Sequence, residues 1–168
     1  MNRRNGSVDR RSGFSDVGYE EAARRAHAVV PKLRELAGAQ EQARQLTPEV
    51  LALLHENGLL RFLQPKRWGG MELDYVSVFD LPEIIGRGDA STAWNVGNLS
   101  IHHWMLALYD PKAQEEVWAD DPDAIIASGI AYPQGRARAR STAVSCCRAT
   151  GISPPVSIRR PGTCSPAS

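Results

Sequence analysis

The sequence predicts an all-α body that runs into the start of a β region, and three observations carry that prediction. Apolar residues recur at helical spacing through most of the first 120 positions. Cap-and-proline signatures stand where such runs begin, at Thr47-Pro48 and Asp110-Pro111. The first strand signal comes only at "DAIIASGIAYPQG", where β-branched residues are bounded by Pro133 and Gly135.

The elements follow in order. Residues 1–18 are basic and polar, lack the apolar core of a signal peptide, and are expected to form a disordered leader. From Tyr19 to Ala37, the positions Ala22, Ala26, Val29, Leu33 and Leu36 mark one helical face. Pro31 falls inside it, so a kink or two helices end to end are expected. Thr47, Pro48 and Glu49 open a helix through Val50, Leu51 and Leu54 to Asn57, and Gly58 suits a left-handed stop. "LLRFLQPKRWGG" reads as an apolar connector closing on a glycine pair that permits tight turning.

Asp74 can cap a third helix bearing Val78, Leu81, Ile84 and Ile85, with Pro82 inside it. Gly88 can end that helix and Asp89 start the next, which explains "RGD" as a joint rather than a recognition motif. The helix from Ala90 to Tyr109 is apolar around most of its circumference and is expected to be buried. A short helix from Asp110 to Trp118 completes the body.

Composition excludes several classes. The chain has 168 residues, 42% hydrophobic and 23% charged, with a net charge of +1. That balance sets up no strong field for nucleic acid or an anionic membrane. No apolar run reaches the roughly 18 residues of a membrane span. The first 145 residues hold no cysteine, so no disulfides staple the body, and a reducing, cytoplasmic setting suits it.

Chemistry concentrates in "STAWNVGNLSIHHWMLALYD". Asn95, Asn98 and His102 lie three and four apart and form a polar stripe on a helix that is otherwise apolar. Such a stripe either completes a core network or faces a ligand cavity, and both readings stand. His103 points some 100° away, so the two adjacent imidazoles do not share one metal. His27 and His55 stand alone among charged residues, as surface histidines do. Cys146, Cys147 and Cys164 would leave a zinc ion short of a fourth ligand, and no metal site is expected. No glycine-rich phosphate loop occurs.

Three stretches, "LLHENGLLRFLQPKRWGG", "GDASTAWNVGNLSIHHWMLALYDPKAQEEVWADDP" and "ASGIAYPQGRA", resemble the N-terminal helical domain of the acyl-CoA dehydrogenase superfamily. The resemblance is greater to its flavin-dependent, two-component aromatic monooxygenase branch and covers roughly residues 19–138. It implies a helical domain over 19–123 and the first strand of a β-barrel over 124–140, the rest of that barrel being absent here. It further implies a homotetramer and a flavin, FMN or FAD, supplied reduced by a separate flavin reductase. The reduced flavin reacts with oxygen and a small aromatic phenol is hydroxylated. The matching site positions are His102 toward the phenol and Ser128 toward the flavin; Trp94, Asn98 and His102 are the candidate substrate pocket, with core packing the alternative for Trp94 and for Trp104. An imidazole suits its task because its pKa near 6.5 lets it accept a phenolic proton at neutral pH. A "TEPxxGS"-like motif of the dehydrogenase members is missing where "IAYPQGRA" stands, which favours the oxygenase branch over acyl-CoA oxidation. A non-catalytic helical binding module is the reading outside enzymes.

The family continues with a pattern like "VDGGYxLSGxWNFSSG", which the final segment lacks in its present frame. Read one base earlier from Arg140, synonymous codons permit "VDGGFVLSGDWNFSSGVDSAAWNMLA". Two of three bases are fixed at each step; Cys146-Cys147 forces the leucine and Ser153-Pro154-Pro155-Val156 gives "SSG" in register. Residues 141–168 are therefore expected to be an out-of-frame, disordered tail, and the chain an inactive fragment without retained flavin.

Overall fold

The computed structural model describes residues 13–127 and two short strands, Arg136–Arg138 and Cys146–Arg148, of which the backbone alone is considered. The chain divides into one compact unit ending at Ile125 and a second beginning at Ile126.

The first unit is helical. Helix α1 spans Tyr19–Ala43, α2 Pro48–Glu56, α3 Ser77–Gly86, α4 Ala90–Ala107 and α5 Pro111–Trp118, with a 3₁₀ turn at Lys66–Trp68. Helix α1 is one continuous element through Pro31, not two end to end. An interior proline costs about 3 kcal/mol. Burial of Ala22, Ala26, Val29 and Leu33 along the face that meets α3 offsets that cost. The three cap signatures form as expected. Thr47 accepts from Val50 N (3.4 Å), Asp89 from Thr92 N (2.7 Å) and Asp110 from Lys112 N (2.9 Å). Gly58 takes φ +70°, the left-handed stop. Helix α3 begins later than the sequence suggests: Asp74 Oδ1 accepts from Val76 N (3.0 Å), so the aspartate caps a preceding turn.

The core gathers the inner faces of α1, α2, α3 and α4 around the connector, whose Leu59, Leu60, Phe62 and Leu63 are buried. The connector folds back on itself through Met71 N to Arg61 O (3.1 Å) and Leu73 N to Phe62 O (2.9 Å). Gly69 turns it at φ +80°. Gly88 has a different reason: a Cβ there would lie 2.8 Å from Val30 O, so its small size lets α1 approach the α3–α4 joint.

Two expectations need correction within this unit. The end of the leader is ordered: Phe14 N donates to Gly69 O (2.7 Å), and the Phe14 ring lies under the guanidinium groups of Arg25 (5.5 Å) and Arg61 (5.6 Å). Phe14 and Val17 pack against the core and dock residues 13–18, and Gly13 and Gly69 pass at contact distance. Helix α4 is buried on one side only. Thr92, Ala93, Val96, Ser100, His103 and Leu106 face inward, while Trp94 is 74% and Leu108 67% exposed.

In the second unit, Arg136–Arg138 pairs antiparallel with Cys146–Arg148, Ala137 opposite Cys147. The strand expected within 124–135 is not seen over 124–127, and 128–135 lie outside the described residues. Three residues of the tail expected to lack structure thus form a strand. Backbone pairing at this short range does not require a designed side-chain pattern. Among the described residues, no helix is long and apolar enough to cross a membrane, and no group of histidine, cysteine and carboxylate side chains could hold a metal.

Candidate functional site

Helix α4 carries the expected site residues on its outer side. At about 100° per residue, Trp94, Asn98, Ile101, His102 and Met105 fall within roughly one third of the circumference. The result is an apolar ridge of Trp94, Ile101 and Met105 with Asn98 and His102 along its shoulder. Trp94 and Met105 are exposed and the other three are half-buried. Helix α3 flanks this ridge: Pro82 lies beside Gly97, where a Cβ would meet Pro82 Cγ at an ordinary contact distance of 3.5 Å. Tyr75 closes the seam against Trp104, ring centres 4.6 Å apart, and meets Phe79 edge-on at 6.4 Å. Phe79 itself is 67% exposed.

The polar stripe partly satisfies its own helix. Asn95 Nδ2 donates to Ser91 O (2.8 Å), and His102 Nδ1 lies 2.7 Å from Asn98 O. A carbonyl can only accept, so Nδ1 carries a proton in this contact. Ser128 lies outside the described residues.

His103 does the opposite of its neighbour. It is 1% exposed, its ring meets Trp118 edge-on at 5.7 Å, and burial pushes its pKa down to about 4. Backbone groups of Ala124 and Leu60 face the ring and partly oppose that shift. Neither nitrogen closes a hydrogen bond of good geometry.

A buried arginine, which helical periodicity does not flag, anchors the segment after α5. Arg61 is 2% exposed. It donates from Nε to Gln64 Oε1 (2.6 Å), from Nη1 to Asp123 Oδ1 (3.1 Å) and from Nη2 to Trp68 O (2.6 Å). Gln64 Nε2 adds a bond to Pro122 O (2.8 Å). His55 is not a simple surface histidine, since its Nδ1 stands 3.7 Å from Asp123 Oδ1. The facing His55 imidazole and Arg61 guanidinium hold the Asp123 carboxyl below its usual range. The one sequence cue was a charged residue inside an apolar run, "LLRFLQ".

Two clefts flank the 3₁₀ turn. One, about 330 Å³, is lined by Ser15, Lys66, Arg67, Trp68 and Trp118 among others. The other, about 390 Å³, is lined by Leu63, Leu73, Trp104, Leu108 and Gln114 among others. Neither is lined by Trp94, Asn98 or His102. Of these three, Trp94 is exposed and Asn98 and His102 are half-buried, an arrangement suited to contact with a flat ring or a second layer of structure. Helix α4 bears no lysine or arginine, so this face offers an aromatic ring a wall and an imidazole, and offers a phosphate no cation.

Residues 19–121 match the family described as acyl-CoA dehydrogenase, N-terminal domain. The chain is 38% identical over 111 residues to the oxygenase subunit HsaA of a flavin-dependent monooxygenase from Rhodococcus jostii, covering 66% of this chain and 29% of that protein. It is 32% identical over 116 residues to the oxygenase component of p-hydroxyphenylacetate 3-hydroxylase from Acinetobacter baumannii, covering 69% and 28% respectively. The crystal structure of the HsaA monooxygenase from M. tuberculosis superposes with a TM-score of 0.66 at 32% identity, over 71% of this chain and 32% of that one. The chain thus spans under a third of the length of these relatives. Through its helical N-terminal domain, the chain belongs to the acyl-CoA dehydrogenase family, among relatives that are oxygenase components of flavin-dependent aromatic hydroxylases.

Proposed function

We propose that this domain forms the substrate-side wall of a two-component, flavin-dependent aromatic monooxygenase, with His102 receiving the phenol. When bound, a reduced flavin supplied by a separate reductase, FMN or FAD, would furnish the oxygen chemistry. The chain's own contribution is positional and protonic. Trp94, Ile101 and Met105 give a flat ring an apolar wall that excludes water from its face. The Asn98 carbonyl fixes the His102 tautomer, so that Nε2 can accept the phenolic proton and raise electron density on the ring. Ser128 is assigned to the flavin side by resemblance. The observation that supports the reading best is the shared outer face of Trp94, Asn98 and His102.

The finer parts belong to the same proposal: a cytoplasmic setting, a homotetramer, and a final segment translated one base out of register. Codons that cannot yield the alternative string would remove the last of these. If it holds, the helical domain is best tested in an intact relative. Residues 19–127 would replace the matching segment of the Rhodococcus jostii oxygenase, which would then be supplied with reduced flavin, oxygen and a phenol. The proposal expects hydroxylated product and no oxidation of an acyl-CoA thioester. A folded chimera that oxidises the thioester, or that leaves the phenol untouched, would count against it.

A further inference from the structure

We propose that the cleft between the 3₁₀ turn and α5 is a binding site for a small aromatic molecule bearing a phosphate or carboxylate group. Its volume, about 330 Å³, is that of a small-ligand site. Its cationic side is formed by Lys66 and Arg67, and among the described residues neither forms an ion pair. The Glu72 carboxylate accepts from the Lys66 backbone N–H (2.7 Å) and lines the other cleft, which Arg67 also borders. Arg67 is held by a neutral group, Gln114 Oε1, and its guanidinium lies over the Trp68 ring at 5.6 Å. The fork is thereby oriented while its charge stays uncompensated, as oxyanion recognition requires.

The aromatic side is formed by Trp68 and Trp118, ring centres 6.3 Å apart and tilted by 49°. Trp118 is fully buried, lines the cleft, and its Nε1–H has no acceptor. That N–H is closed to water, so it reports on a ligand in the cleft without touching it. The Ser15 hydroxyl stands at the rim as a further donor or acceptor. Two cations without an ion pair among the described residues and the Trp68–Trp118 pair line this cleft, away from the outer face of α4. The inference does not depend on the hydroxylase reading.

The test uses the full ¹⁵N-labelled chain, with the Trp118 indole N–H resonance assigned through Trp118→Phe. It is titrated with phenyl phosphate, benzoate, inorganic phosphate and phenol. We expect a saturable shift with phenyl phosphate or benzoate, at least ~5-fold tighter than with phenol or inorganic phosphate. Whichever of the two binds tighter identifies the anionic group. Lys66→Gln, on an exposed side chain, is expected to weaken binding at least ~5-fold while the rest of the spectrum stays unchanged. The proposal is overturned if no probe saturates the shift, or if phenol binds as tightly as the anions. It also fails if inorganic phosphate alone suffices, or if Lys66→Gln and Arg67→Gln both leave the affinity unchanged.

Discussion

His103 should make this domain acid-labile through one identifiable side chain. Its ring is 1% exposed and packed edge-on against Trp118, with the nearby Arg61 charge also unfavourable to a second proton. In the unfolded chain it titrates near 6.5; in the fold burial holds its pKa at about 4. Between those values the unfolded state binds more protons than the native state, so stability is present in full above the unfolded pKa and falls as pH drops. The linkage amounts to about 2 kcal/mol by pH 5 and about 3 kcal/mol near pH 4. His103→Leu removes that dependence. Because neither ring nitrogen closes a good hydrogen bond, the apolar replacement should stay within ~1 kcal/mol of the parent at pH 7.5. Urea unfolding followed by circular dichroism, at pH 7.5, 6 and 5, measures both chains. The parent should lose about 2 kcal/mol more than His103→Leu between pH 7.5 and 5. Equal losses in the two chains would refute the assignment of a neutral, buried imidazole.

Other substitutions test the rest of the frame. Arg61→Met leaves Asp123 without its buried guanidinium partner and should cost ~3 kcal/mol or more in the same urea assay. Asp89→Ala removes the α4 cap and the contact to Gln40 Nε2 (3.2 Å), so a loss of ~1–2 kcal/mol is expected. Trp94→Ser, by contrast, should leave stability within ~0.5 kcal/mol because that indole is 74% exposed. In the chimeric oxygenase the same change should raise KM for the phenol.

Local chemistry was legible in the sequence and tertiary context was not. Thr47, Asp89 and Asp110 cap helices because their side chains reach N–H groups two or three residues on, so the signal is complete within each tetrapeptide. Gly58 is legible for the same reason. Helix α4 misleads because apolar residues surround it: a pattern without a polar face is the mark of full burial, yet Trp94 and Met105 face outward. Where the outer residues are apolar, periodicity cannot distinguish a core from a face that receives a ligand or another layer. His102 and His103 show the limit at single-residue scale, since helical geometry separates them but does not say which one turns inward. Arg61 shows it differently: its charge is buried because Asp123, 62 residues on, joins the local partners Gln64 and Trp68, and no window around "LLRFLQ" contains Asp123.

The central claim, that His102 serves the hydroxylation of a phenol, is tested most directly by His102→Asn in the chimeric oxygenase. Product formation and oxygen consumption are measured together, from pH 6 to 9. The account predicts that oxygen is still consumed while hydroxylated product falls at least ~100-fold, and that higher pH, which ionises the phenol without help, restores part of it. A chimera that hydroxylates as well with asparagine at position 102 as with histidine would contradict the account.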